Sequence, residues 1–149
     1  MIRLLAVPFL AAASLGACVS VNETVLPPAP AAPATKQVLV PGNHLYSAAV
    51  RHGDTIYLAG VIGRSETGDV REATHAAMTA VKTNTEAAGA AMADLLKCTV
   101  YMTDIDQYTA MNEVYATYFE RDPPARTAIA VTALPFGALV EITCVAAAR

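Results

Sequence analysis

The sequence predicts an α+β fold, one mixed sheet with both helices on one face, in the order β-β-β-α-β-α-β-β. Three observations carry this reading. Short β-prone runs bounded by turn residues lie at both ends of the region from Lys36 onward. Two stretches with apolar residues at helical spacing lie between them. A single apolar run, Leu95 to Met102, separates those two stretches.

Taken in order, Gln37 to Val40 is the first strand. Tyr46 to Val50 and Thr55 to Ile62 are the second and third, and the turn signal Arg51-His52-Gly53-Asp54 between them predicts a hairpin. Residues 70–88 contain no Pro or Gly, and Ala77, Val81, Thr85 and Ala88 share one helical face. Gly89 supplies the stop. Leu95 to Met102 is the fourth strand. Thr103-Asp104-Ile105-Asp106 offers N-cap residues for a second helix, whose stripe is Tyr108, Met111, Val114, Tyr115 and Tyr118 with Phe119. Asp122-Pro123-Pro124 ends it. Arg126 to Thr132 and Leu139 to Ala146 are the last strands, joined by Leu134-Pro135-Phe136-Gly137. With both helices on one face, the other face of the sheet is open. Val100, Ile129, Val131, Val140 and Ile142 make the strands apolar, so that face is predicted to meet a partner. Self-association with closed cyclic symmetry is the economical arrangement.

The N-terminus has the parts of an export signal. Arg3 is positive, Leu4 to Leu15 is nearly all apolar, and small residues follow. The run is shorter than the roughly 20 residues a membrane span needs. Leu15-Gly16-Ala17-Cys18 resembles a bacterial lipobox, which implies cleavage after residue 17 and lipidation of Cys18. Val19 in place of Asp implies the outer rather than the inner membrane. Several acyl chains on one residue anchor stably, where a single chain binds weakly. Residues 18–35, with four prolines and many alanines, form a tether, and residues 36–149 form the domain. The 149 residues less the 17 of the signal leave 132, enough for one domain. The mature chain carries 13 acidic and 9 basic residues once Arg3 is removed. Net acidity without a basic cluster argues against nucleic acid as a partner.

Few residues can carry chemistry. His52, in a turn, and His75, on a helix, are expected to be solvated, and His44, just before a strand, is the strongest catalytic candidate of the three. No nucleophile elbow and no phosphate-binding glycine loop is present. Cys98 and Cys144 sit in apolar strand runs and form no metal motif; two buried thiols are the preferred reading, a disulfide the alternative in an oxidising compartment. Arg126 opens a strand directly after Pro123-Pro124-Ala125, and Glu141 interrupts an apolar one. An ionised side chain there must be paired or hydrogen-bonded. A structural Arg–Glu pair at a sheet edge is one reading. The other is a guanidinium fork for a carboxylate together with a base for a water. Asn112 and Tyr46 are further polar candidates.

Residues 46–146 resemble the reactive-intermediate deaminase (RidA, YjgF) family. The resemblance rests on Asn112-Glu113-Val114-Tyr115 with Tyr118-Phe119, on Pro124-Ala125-Arg126-Thr127, and on Leu134-Pro135 with Gly137-Ala138-Leu139-Val140-Glu141-Ile142. Tyr57-Leu58-Ala59-Gly60 and Ala87-Ala88-Gly89-Ala90 also fit. It implies a chorismate-mutase-like fold and a homotrimer with small-carboxylate clefts between subunits. It implies hydrolysis of enamines and imines such as 2-aminoacrylate to a 2-keto acid and ammonia, without metal or organic cofactor. By the same resemblance Arg126 grips the substrate carboxylate, Glu141 activates water, Tyr46 and Asn112 line the cleft, and Gly60 lets the backbone approach the ligand. The chain departs from the family pattern at Ala59, Val61 and Ala128, where Ser, Gln and Cys are common, and at His44-Leu45 in place of Gly-Pro. A wall that has lost polar groups implies a more apolar ligand. A tethered, non-catalytic receptor for a small carboxylate or a protein is the competing expectation. Ribonuclease activity, an old label of the family, is disfavoured by the acidity.

Overall fold

The computed structural model describes residues 34–149. The signal at 1–17, Cys18 and the tether as far as residue 33 lie outside the described residues. Seven strands and two helices follow: β1 Gln37–Val40, β2 Ala49–His52, β3 Thr55–Leu58, β4 Val61–Gly63, α1 Val70–Ala87, β5 Leu95–Met102, α2 Tyr108–Ala116, β6 Ala125–Ala130 and β7 Val140–Ala147. The strands form one sheet in the order β1-β2-β3-β7-β5-β6, with β4 also on β7. All pairings are antiparallel except β5 with β6. The parallel pair follows from α2, which returns the chain to the edge it left.

The predicted α+β class and element order hold, with one strand divided. The run Thr55 to Ile62 is β3 and β4, broken at Ala59-Gly60. Both pieces pair with β7, β3 at Val145–Ala147 and β4 at Val140–Ile142. The hairpin forms, His52 facing Thr55 across Gly53-Asp54.

Helix α1 begins at Asp69, whose side chain accepts from Arg71 N at 2.8 Å. Its buried stripe is Val70, Ala73, Thr74, Ala77, Met78, Val81 and Thr85. The two buried threonines return their hydroxyls to Val70 O and Val81 O at 2.7 Å, so neither is left unsatisfied. Gly89 takes the left-handed conformation, φ 82°, that ends the helix. Asp104 caps a turn of 3₁₀ helix at Ile105–Gln107 that leads into α2. Helix α2 stops at Ala116, well short of the predicted Asp122. Thr117 turns its hydroxyl back to Val114 O, and Tyr118 and Phe119 make i−3 bonds only. Arg71 of α1 pairs with Glu113 of α2.

Strand alternation sorts the side chains. Ile56, Leu58, Cys98, Val100, Met102, Val140, Ile142 and Cys144 are buried beneath the helices. Val100, Val140 and Ile142, expected on the open face, therefore belong to the covered one. The period of two places their neighbours Thr99, Tyr101, Glu141 and Thr143 outside instead. Ile129 does lie on the open face, 42% exposed, in register with Tyr101. Cys98 and Cys144, expected as thiols, face each other across β5 and β7 and form a disulfide. Directly opposed positions on one face of an antiparallel pair bring the sulfurs within bonding reach.

Candidate functional site

Arg126 stands on the helix-covered side of β6, the edge strand. Its lateral neighbour in the parallel pairing is the buried Cys98. The guanidinium carbon lies 4.6 Å from the Tyr115 ring centre and 5.6 Å from that of Tyr108. Nη2 donates to Tyr108 Oη at 3.0 Å, and Nη1 lies 4.0 Å from Met111 Sδ. Aromatic faces thus orient the cation without neutralising it. Among the described residues Arg126 is in no ion pair, and its remaining N–H groups are available to a carboxylate.

Asn112 lies one helical turn beyond Tyr108. Its amide, and then the Arg126 guanidinium, hold the Tyr108 phenol below its ordinary pKa; only the guanidinium makes a hydrogen bond of ordinary geometry. Asn112 Oδ1 is buried and has no partner, and the same is true of Tyr115 Oη. Desolvation pushes the Tyr115 phenol up to about 12, against the pull of Arg126. Arg126, Asn112 and Tyr115 line one cavity of about 530 Å³, whose further wall is Ala116, Phe119, Glu120, Arg121, Pro123 and Pro124.

Glu141 lies elsewhere. It is paired with Ile62 in β4 and Tyr101 in β5, on the open face of β7. A Cβ added at Gly60 would collide with the Glu141 carboxylate, so the bare backbone there makes room for it. Gly60 and Glu141 are therefore together. Glu141 and Arg126 are not: they project from opposite faces of the sheet, with β5 between their strands. The reading of a structural Arg–Glu pair at a sheet edge is overturned by this topology. Tyr46 sits in the loop before β2 and is 54% exposed. Asn43 shapes that loop by accepting from Leu45 N and Tyr46 N at 2.8 and 3.3 Å. Tyr46 is not among the residues lining the Arg126 cavity.

Cys18 is outside the described residues. His44 and His52 are exposed, and His75 is engaged with Tyr118 Oη at 3.1 Å. Sequence reasoning took Tyr108, Tyr115 and Phe119 only as packing. The signal available was their position on the Asn112 side of α2, with Tyr108 and Tyr115 two turns apart.

Fold and site together define an α+β protein whose sheet is covered by helices on one face and carries an unneutralised arginine in the wall of a largely apolar cavity. The chain belongs to the RidA (YjgF) family: the family model described as Endoribonuclease L-PSP matches residues 36–148. A RutC family protein of Pyrococcus horikoshii is 38% identical over 107 residues, 68% of this chain and 85% of that one. The 2-iminobutanoate/2-iminopropanoate deaminase of Dermatophagoides farinae is 37% identical over 103 residues, 65% of this chain and 80% of its own. Among solved structures, the Rid-family protein YyfA of Yersinia pestis superposes with a TM-score of 0.69 at 30% identity, over 76% of this chain and 99% of that one.

Proposed function

We propose that this protein is a hydrolytic deaminase of reactive 2-imino acids, working as a homotrimer with its sites between subunits. The observation that carries the reading is the unneutralised Arg126 guanidinium, held by two aromatic rings in the wall of a cavity. It binds the substrate carboxylate in a bidentate contact. Glu141 of a second copy takes a proton from water, and the hydroxide adds to the imine carbon. The carbon–nitrogen bond then breaks, nitrogen leaves as ammonia with the protons it has gained, and a 2-keto acid remains. The 2-iminobutanoate/2-iminopropanoate deaminases among the relatives support this chemistry. The opposed placement of Arg126 and Glu141 supports an intersubunit site, because no single chain can bring both to one substrate.

The test generates 2-aminoacrylate in situ and follows keto-acid release. Arg126→Ala is expected to weaken substrate capture by about 2–5 kcal/mol, the range for losing one partner of a desolvated charge pair. Glu141→Gln should lower kcat by about 10²–10⁴-fold, as loss of a general base does. Wild-type protein that adds nothing to spontaneous hydrolysis rejects the reading for that substrate. The competing reading, a non-catalytic receptor, draws on Ala59 and Ala128. It would be favoured by a keto acid that raises Tm in a protein without turnover.

We also infer that the chain is an exported lipoprotein, periplasmic and anchored at Cys18, in the outer rather than the inner membrane. The Cys98–Cys144 disulfide supports an oxidising compartment. Cys18→Ala should move the protein from the membrane fraction to the soluble one with activity retained; a membrane-bound variant would rule out this anchor.

A further inference from the structure

The geometry points to a narrower substrate class for the Arg126 site: 2-imino acids with large apolar side chains, rather than the three-carbon imine. This rests on the deaminase reading but draws on different observations. The cavity of about 530 Å³ lies within the roughly 300–1,000 Å³ typical of sites that enclose drug-sized ligands. A three-carbon acid held at Arg126 would fill only part of this chain's share of the site. The rest of the wall is Tyr115, Ala116, Phe119, Pro123 and Pro124, with the exposed Glu120 and Arg121. The first five offer contact to hydrocarbon and little hydrogen bonding, and the stems of the two charged side chains can lie along it while their heads stay in water.

The polar atoms are placed for the other end of such a molecule. Arg126 supplies donors for the carboxylate. Asn112 lines the same cavity, and its Oδ1 is an acceptor without a partner in the chain that an imine N–H reaches once the amide turns toward the ligand. Tyr115, only 4% exposed, carries a hydroxyl that is also unpartnered. A buried polar atom left unsatisfied is costly, and a ligand that satisfies it recovers that cost. Cation, acceptor and apolar wall together match the carboxylate, imine nitrogen and side chain of one ligand. Ala128, one alternation along β6 from Arg126 on the same face, adds no polar group beside it.

The test uses the whole protein and imines formed in situ by an amino-acid oxidase from alanine, leucine and phenylalanine. The leucine- and phenylalanine-derived imines should show kcat/KM at least tenfold above the alanine-derived one, the scale by which apolar pockets discriminate. Ala116→Trp, which fills the cavity from an exposed helical position, should lower that ratio at least tenfold. In parallel, thermal shift is measured with pyruvate and with phenylpyruvate; phenylpyruvate should give the larger rise, lost in Arg126→Ala. Turnover of all three imines without preference, or a ratio unmoved by Ala116→Trp, overturns this inference and leaves the deaminase reading standing. Selective binding of phenylpyruvate without turnover of any imine does the reverse. Neither turnover nor binding rejects both.

Discussion

At Gly60 the absence of a side chain gives the Glu141 carboxylate its position, since a Cβ would occupy the same space. The backbone there is not left-handed, so alanine acts by crowding alone. The atom displaced is the end of a flexible, half-buried side chain, which can move aside. Gly60→Ala is therefore expected to leave Tm within a few degrees while lowering kcat by about 10²-fold, the cost of misplacing a reacting group by an ångström. Steady-state kinetics beside a melting curve checks it; unchanged kcat would separate Glu141 from the chemistry. Arg126 shows the complementary case. Its position depends on what surrounds it, because Tyr108 and Tyr115 fix the guanidinium without cancelling its charge.

At the scale of elements, β5 lies between the strands that carry Arg126 and Glu141 and is bonded to both. Cys98 is the lateral neighbour of Arg126 in β6 and the disulfide partner of Cys144 in β7. The bond closes a sequence separation of 46 residues that includes α2 and β6. In the loop-entropy account this constraint contributes about 4 kcal/mol. The double variant Cys98→Ala/Cys144→Ala should lose stability of that order, read as a lower denaturant midpoint. A midpoint that does not fall would show that packing alone holds β5 to β7. The predicted helix and strand periods were legible here because local patterning and burial agree, as in Ala77, Val81 and Thr85 of α1. The end of α2 was not: Thr117 competes for the backbone with its own hydroxyl, a choice that hydrophobic spacing does not record.

For the whole molecule, opposed faces have a direct consequence. If each site takes Arg126 from one subunit and Glu141 from the next, two inactive variants can complete each other. Mixing Arg126→Ala with Glu141→Gln after subunit exchange should restore about a quarter of wild-type sites, by random assortment around a cyclic ring. A site formed within one chain would give no recovery. The open sheet face carries Tyr57, 47% exposed, and Ile129, side chains suited to burial by the same association.

What the sequence determined by itself was the set of elements and the chemical cast. Period, turn residues and caps are local, so the α+β order could be read from them, and the motifs around Arg126 and Glu141 singled out the polar candidates. Which side of the sheet each residue occupies depended on strand order and register, which arise from pairings between distant parts of the chain. Tertiary structure alone put β5 between Arg126 and Glu141, joined Cys98 to Cys144, and divided the third strand at Gly60. The physical reason is the two-residue alternation of a strand: one step in register moves a side chain from core to solvent. No spacing along the chain carries that information until the strands are paired.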